Sequence, residues 1–202
     1  MPGKKSRLKF IFVSISALIF LLILMVVVLN NGFQIDNFIS QNINYFRGSA
    51  DGFFIFLGHY LRTITIGLAV FIIFFMYLQK RKKESLMVLL ALVSGFILEQ
   101  TIKYLVQRPR PVAQLIQETS YSFPSGHSIF AIILFSMLIY FYKDKIKNSF
   151  FKVSFIMINV FLILLTGVSR IYLNVHWFSD VLGGFAIGFA VMGCILFFIF
   201  EK

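Results

Sequence analysis

The chain has 202 residues, of which 59% are hydrophobic and 27 are phenylalanine, while 13% are charged. This composition excludes an ordinary soluble domain and predicts an integral membrane protein. The formal net charge is +11, but the basic residues lie at the ends of long apolar stretches. That placement argues against binding to nucleic acid and indicates contact with anionic lipid head groups.

Six membrane-spanning helices are predicted from stretches that are apolar and long enough to cross a bilayer. They cover residues 9–30, 53–78, 85–106, 127–142, 153–169 and 177–199. The predicted fold class is all-α: a polytopic membrane protein with six transmembrane helices in one bundle, and residues 1–202 are expected to form a single domain. The first stretch follows a basic segment, as a signal peptide would, but the lack of a small-residue cleavage site favours a retained anchor.

Between the first two stretches, residues 31–50 scatter large apolar side chains among polar ones. This pattern fits a short amphipathic helix lying in the outer interface of the membrane. A plain loop fits nearly as well.

Three clusters of basic residues give the expected orientation. They are Lys4, Lys5, Arg7 and Lys9; Lys80, Arg81, Lys82 and Lys83; and Lys143, Lys145, Lys147 and Lys152. If all three clusters are cytoplasmic, the positive-inside rule is satisfied and both termini are cytoplasmic. The end of the third span, the start of the fourth and the loop before the sixth then face outward, and we expect their polar residues to converge on one face of the bundle.

The first of these outward segments reads KYLVQRPRP at 103–111. Lys103 lies about two helical turns before Arg110, so both side chains can point along one side of the span toward the outer surface. Glu99, four residues before Lys103, can hold the ammonium group in place. Each cation alone could instead be an interface anchor, although an ionisable pair inside a span favours a function. Arg108 adds an ambiguity, because it too precedes a proline.

The second outward segment is Pro124-Ser125-Gly126-His127. Proline at the first helical position, with Ser125 and Gly126 leaving backbone N–H groups free, predicts a helix N-terminus that binds an anion such as phosphate. His127 is then placed to transfer a proton, because the unperturbed pKa of histidine lies near neutrality. A turn with a helix cap is the alternative.

The third outward segment reads SRIYLNVHWFSD at 169–180. His176 and Asp180 are four residues apart, so the carboxylate can accept a hydrogen bond from one ring nitrogen and orient the other outward. That arrangement makes a histidine a better nucleophile or base. Arg170, which follows Ser169, carries a planar fork suited to phosphate oxygens. Taken alone, a His–Asp pair beside interfacial aromatic residues can also be incidental.

Other polar residues are less informative. His59 and Arg62 lie near the outer end of the second span, where they could meet a second phosphate or a head group, but snorkelling to the interface is the favoured interpretation. Cys194 is the single cysteine, so an internal disulfide is excluded. The sequence contains no carboxylate or Cys/His cluster typical of a metal site, so we expect an activity without a metal or other cofactor.

Taken in order, Lys-x6-Arg-Pro, Pro-Ser-Gly-His and Ser-Arg-x5-His-x3-Asp resemble the three-part signature of the type 2 phosphatidic acid phosphatase superfamily. The motifs occupy residues 103–180, and the six-span layout extends the resemblance over nearly the whole chain, with the first 50 residues contributing least. The resemblance implies the helical fold shared by acid phosphatases and vanadium haloperoxidases. The haloperoxidases themselves are soluble, which six apolar spans contradict.

The resemblance also implies a phosphate-binding role for five residues. The substrate phosphate would contact the cations Lys103, Arg110 and Arg170. Ser125 and the backbone at Gly126 would assist. Three fixed cations and a helix N-terminus suit the stabilisation of a transferring phosphoryl group without a metal.

The catalytic roles are likewise implied by the resemblance. His176 would attack phosphorus to form a phosphohistidine, and Asp180 would hold and polarise it. His127 would protonate the departing oxygen before water releases phosphate. Ser169 would cap or orient the neighbouring arginine, and Glu99 would support Lys103.

The implied activity is that of a membrane lipid phosphatase acting at the outer face of the plasma membrane. Because removal of phosphate from the cell-wall lipid carrier takes place in the outer leaflet, undecaprenyl diphosphate is the favoured substrate. Phosphatidylglycerol phosphate, phosphatidic acid and phosphate transfer to another lipid stay open, and the oligomeric state is not indicated. A non-catalytic protein that binds lipid head groups would need the three cations but neither histidine nor Asp180. A transporter would place ionisable residues at mid-membrane in several spans.

Overall fold

The structure is a computed structural model that describes residues 4–200. The side chains of residues 4–9, Asn44 and 198–200 lie outside the description, and with them the predicted basic cluster at the start of the chain. The described residues form seven α-helices and one 3₁₀ turn, without a strand in that range. They are α1 (Lys4–Asn30), α2 (Gln34–Asn42), the 3₁₀ turn (Ile43–Phe46), α3 (Asp51–Leu78), α4 (Lys82–Val106), α5 (Gly126–Tyr142), α6 (Ser149–Tyr172) and α7 (Phe178–Phe200).

The predicted all-α membrane fold is confirmed, since five of the six predicted spans lie within one helix each and the sixth, 177–199, begins one residue before α7. Among the described residues, α1, α3, α4, α6 and α7 are long and apolar enough to cross a membrane, and α5 is a shorter apolar helix of 17 residues. The protein is therefore a multi-pass membrane protein. Within 31–50, the structure contains a helix, α2, in place of the plain loop that the sequence left open.

Helix α5 lies in the middle of the bundle. It packs against α4, α6 and α7, while α1 packs on α7 and α3 packs on α4. Ile129, Ile133, Leu134 and Met137 of α5 are fully buried and form the centre of the largest apolar cluster. By contrast, α1 and α3 expose most of their large apolar side chains. This distribution fits lipid outside the bundle and close packing inside it.

Helix α4 ends earlier than the predicted alignment of Lys103 with Arg110 requires. The helix stops at Val106, and Gln107 adopts the left-handed conformation with φ of 51° while its N–H donates to the carbonyl of Lys103 over 3.0 Å. This is a helix end in the left-handed conformation, which turns the chain away from the helix axis. Arg110 consequently lies on the following loop, and the idea that both cations follow one side of the span is wrong.

The start of α5 also differs from the prediction. The helix begins at Gly126 with Ser125 as its N-cap, so Pro124 precedes the cap instead of occupying the first helical position. Ser125 has an extended backbone, and its hydroxyl accepts from the N–H of Ser128 over 3.4 Å and from the Ser128 hydroxyl over 3.0 Å. A serine cap satisfies one of the free donors of the first turn, and it leaves others for a ligand.

Candidate active site

The three polar segments that the sequence predicts to converge do meet at one end of the bundle. The loop after α4 contacts the loop between α6 and α7 through Arg110 and His176. The start of α5 is joined to α7, since the N–H of Ser125 donates to the carbonyl of Asp180 over 3.0 Å. Helix α6 reaches α5 through Arg170 and His127.

Lys103 and Glu99 form a buried ion pair with 2.8 Å between Nζ and Oε1, as their spacing on α4 suggests. The carboxylate of Glu99 lies directly against the Cα of Gly126 at the start of α5, where an added Cβ would overlap it. A larger residue at this close approach would therefore displace the Glu99 carboxylate from its present position. The second carboxylate oxygen of Glu99 is buried and has no hydrogen-bond partner among the described atoms.

Arg110 is held by the loop that follows it. Its Nε donates to the carbonyl of Ser120 over 2.7 Å, and its Nη1 donates to the carbonyl of Val175. The same Nη1 lies 3.3 Å from Nε2 of His176. Burial lowers the pKa of the guanidinium, and the charge of Glu118 acts in the opposite direction. An arginine remains protonated at neutral pH despite such a shift, so a fixed cation faces the histidine ring.

Arg170 is fully buried near the end of α6. Its Nε donates to the hydroxyl of Ser169 over 3.1 Å, and that hydroxyl donates to the carbonyl of Thr166 over 2.7 Å. Nη1 lies 3.4 Å from Nε2 of His127, whereas Nη2 has no partner among the described atoms. Ser169 thus orients the guanidinium, and a buried donor remains for an anion.

His176 lies between the cations and Asp180. Its Nδ1 is 3.4 Å from Oδ2 of Asp180, which is long for a hydrogen bond, and its Nε2 faces Arg110. Contacts of this kind often tighten when substrate binds. Burial lowers the pKa of His176 well below its ordinary 6.5, and the nearby cations, led by Arg110, lower it further. The ring is therefore neutral at neutral pH.

A buried ion network behind Asp180 was not anticipated from the sequence. Arg108 donates through Nη1 to Oδ1 of Asp180 and to the hydroxyl of Ser179 over 2.7 Å. Through Nη2 it donates to Oδ2 of Asp36 over 3.0 Å and to the carbonyl of Asn31 over 2.7 Å. The side chains of Arg108, Asp36 and Asp180 are at most 2% exposed. Arg108 therefore binds the carboxylate pair, whereas Arg110 is the arginine of the two that lies beside Nε2 of His176.

Asp36 connects α2 to the start of α7. Its Oδ2 accepts from the N–H of Phe33, the N-cap residue of α2, and from the hydroxyl of Ser179, while its Oδ1 accepts from the N–H of Ser179 over 2.8 Å. Gly32, with φ of 116°, passes so close that a Cβ there would overlap the Arg108 guanidinium. A carboxylate three residues after a helix start is a capping signal that could have indicated Asp36. Nothing local in the sequence relates it to α7.

His59 and Arg62 lie on the exposed side of α3. Arg62 lines a small cavity together with Gly126 and His127. His59 is not among the described residues that line it. Within the described side chains, no three of His, Cys, Asp and Glu come close enough together to hold a metal ion.

The profile of the PAP2 superfamily matches residues 84–202, which include all three polar segments. The chain belongs to the PAP2 superfamily. A phosphatidylglycerophosphatase B of Bacillus subtilis is 35% identical over 116 residues, or 56% of this chain and 57% of that protein, so the alignment spans less than two thirds of the relative. An undecaprenyl-diphosphatase of Sulfolobus acidocaldarius is 25% identical over 79% of this chain and 75% of its own length.

A solved structure extends the comparison beyond the matched family segment. The crystal structure of a transmembrane PAP2-type phosphatidylglycerolphosphate phosphatase from Bacillus subtilis superposes with a TM-score of 0.81 at 28% identity. The match covers 91% of this PAP2 chain and 94% of the other. The shared architecture therefore includes the helices that precede residue 84.

Proposed function

We propose that this protein is a metal-independent membrane lipid phosphatase that works through a phosphohistidine on His176. One observation carries the proposal: a buried, neutral imidazole has one nitrogen toward Asp180 and the other toward the cation Arg110. A phosphate bound to Arg110 would lie next to Nε2 of His176. Membership of the PAP2 superfamily and the names of the relatives support the same reaction class.

In the first step, Nε2 of His176 attacks phosphorus, an N–P bond forms and the bond from phosphorus to the leaving oxygen breaks. Asp180 stabilises the positive charge that develops on the ring. Lys103, Arg110 and Arg170 offset the charge on the phosphoryl oxygens, and the free N–H groups at the start of α5 add to this field. His127 gives its proton to the leaving oxygen.

In the second step, water attacks the phosphohistidine. His127 takes a proton from the water, an O–P bond forms and the N–P bond breaks. Orthophosphate leaves and the neutral His176 is restored. The reversal of roles by His127 follows from general acid–base catalysis in two half-reactions.

Undecaprenyl diphosphate is the proposed substrate, with undecaprenyl phosphate as the lipid product. This carrier is dephosphorylated in the outer leaflet, the side on which the basic clusters favour the site, and one relative carries the matching name. Phosphatidylglycerol phosphate is the second candidate, because the more identical relative and the superposed structure are named for it. Phosphatidic acid and transfer of phosphate to another lipid follow as less favoured alternatives.

The decisive assay measures phosphate release by the purified protein from the three lipids, with and without a chelator. His176→Ala should abolish release, and His59→Ala, which changes an exposed histidine on α3, should retain it. Full release by His176→Ala would exclude the covalent mechanism and leave a lipid-binding protein as the alternative. Inhibition by the chelator would contradict metal independence, and a clear preference for phosphatidylglycerol phosphate would reverse the substrate ranking.

We further propose that the protein lies in the plasma membrane with both termini in the cytoplasm and the site on the extracytoplasmic side. The lysine-rich turn between α5 and α6 would then be cytoplasmic. In a Cys194→Ser background, Val112→Cys, at a position that is 99% exposed, should react with an impermeant maleimide in intact cells. Lys147→Cys should react after permeabilisation. The opposite labelling pattern would show that the protein has the opposite orientation in the membrane.

A further inference from the structure

Arg62 is an arginine within a membrane-spanning helix. It lies eleven residues after the first residue of α3, or about 16 Å along the helix axis. No carboxylate among the described residues is within ion-pair distance of it. A cation at such a position is costly in hydrocarbon unless an anion or water accompanies it, so it indicates a site more often than a surface charge does.

The surroundings of Arg62 relate it to the leaving-group side of the reaction. Arg62 lines a cavity between α3, α5 and α6 together with Gly126 and His127. The remaining walls are Thr65, Ile66, Phe130 and Thr166. Both threonine hydroxyls donate to carbonyls of their own helices. Among these lining residues, Arg62 is therefore the permanently charged side chain beside His127.

We propose that Arg62 binds a second phosphate, one carried by the leaving group, and so determines substrate specificity. This inference rests on the proposed function, in which His127 protonates the leaving oxygen. When the substrate is a lipid diphosphate, the leaving group is a lipid monophosphate. When the substrate is phosphatidylglycerol phosphate, the leaving group is phosphatidylglycerol, which keeps a phosphodiester in its head group. When the substrate is phosphatidic acid, the leaving group is a neutral diacylglycerol. The guanidinium fork suits either phosphate group and finds no partner on the diacylglycerol.

The test compares specificity ratios in Arg62→Gln, Arg62→Lys and the control His59→Gln, which alters a polar residue on the same exposed helix. For Arg62→Gln, the ratio of kcat/KM for undecaprenyl diphosphate to that for phosphatidic acid should fall roughly 10- to 100-fold, as expected for a lost charged hydrogen bond. Arg62→Lys should recover part of the ratio, and His59→Gln should keep it. A parallel measurement with phosphatidylglycerol phosphate shows whether Arg62 binds the phosphate of a lipid monophosphate, the phosphodiester of phosphatidylglycerol, or both.

A binding measurement adds a readout that needs no lipid. Methylenediphosphonate, whose P–C–P link is not hydrolysed, should inhibit the wild type more strongly than orthophosphate does, and Arg62→Gln should remove that difference. Unchanged lipid ratios in Arg62→Gln would overturn the inference and leave a snorkelling arginine. An equal loss on all three lipids would overturn it as well, since Arg62 would then act through His127 or the fold. If the wild type hydrolyses none of the lipids, the proposed function fails instead.

Discussion

Replacing Arg108 by glutamine is expected to lower the stability of the protein strongly, because it leaves two buried carboxylates without their shared cation. The guanidinium is 1% exposed and lies between Asp36 at 2% and Asp180 at 0%. Breaking a buried ion pair by removing one partner typically lowers the free energy of unfolding by about 3–5 kcal/mol. For a protein of this size, that corresponds to a fall in midpoint temperature of roughly 6–20 °C.

The cluster contains its own probe, because Trp177 is the single tryptophan of the sequence. Its Nε1 donates to the carbonyl of Pro109 over 2.8 Å, and Arg108 lies 5.3 Å from the centre of its ring system. Thermal unfolding in detergent should be followed by helical circular dichroism and by Trp177 emission at one fixed scan rate, since unfolding of membrane proteins can be irreversible. Lys152→Gln, which breaks an exposed ion pair with Asp144, serves as the matched control and should leave the midpoint unchanged.

Coupling between Arg108 and its partner Asp36 sharpens this test. In the double variant Asp36→Asn with Arg108→Gln, the combined loss of stability should be smaller than the sum of the single losses by at least about 1 kcal/mol. Displacement of Asp180 should also reduce kcat, on the order of 100-fold for a misplacement near 1 Å. Additive losses, or an Arg108→Gln variant with the wild-type midpoint, would refute the assignment of Arg108 to the carboxylate pair.

Three further predictions concern the site itself. Gly126→Ala should reduce kcat sharply, because the added methyl overlaps the Glu99 carboxylate. The double variant Gly126→Ala with Glu99→Ala should recover part of the loss. Equal activity of Gly126→Ala and wild type would refute the close contact. Ser169→Ala should raise KM for lipid phosphate roughly 10-fold, because Arg170 loses the acceptor that orients it. Ser169→Thr, which keeps a hydroxyl, should recover most of the affinity. An unchanged KM in Ser169→Ala would show that Ser169 does not orient Arg170 for binding. His176 should stay neutral as pH falls through 6.5, because its pKa is lowered, so ¹³C-labelled histidine spectra, assigned with His176→Gln, should show it titrating only at lower pH, and titration at 6.5 or above would contradict the assignment.

The layout of the helices was predictable because the bilayer constrains it. A spanning segment must be apolar, close to a fixed length and hydrogen-bonded within itself, so hydropathy alone identifies it. The ion pair of Glu99 with Lys103 was equally accessible, since helical spacing places them on one face. The exact helix ends were less accessible, because a non-glycine residue, Gln107, adopts the left-handed conformation at the end of α4 and because Ser125 caps α5 although Pro124 before it also fits a helix start.

The residues that hold the site from behind could not be obtained from spacing. Asp36 meets Arg108 across 72 residues and Ser179 across 143. Charge patterning along a sequence describes neighbours on one element, whereas these partners meet only after α2, α4 and α7 have packed. The sequence favoured a snorkelling Arg62, and it could not indicate that Arg62 lies near His127, because that proximity arises from the packing of α3 beside α5.

The contact of Asp36 with the start of α7 has a consequence for where the working unit of this protein begins. The family profile matches residues 84–202, yet a carboxylate from residue 36 caps the helix that carries Asp180. A fragment cut to the matched segment would retain every motif residue and still leave Arg108 with half of its anionic shell. Chimeras that exchange the segment 84–202 between family members should therefore exchange α2 together with α7, so that Asp36 and its partners come from the same protein.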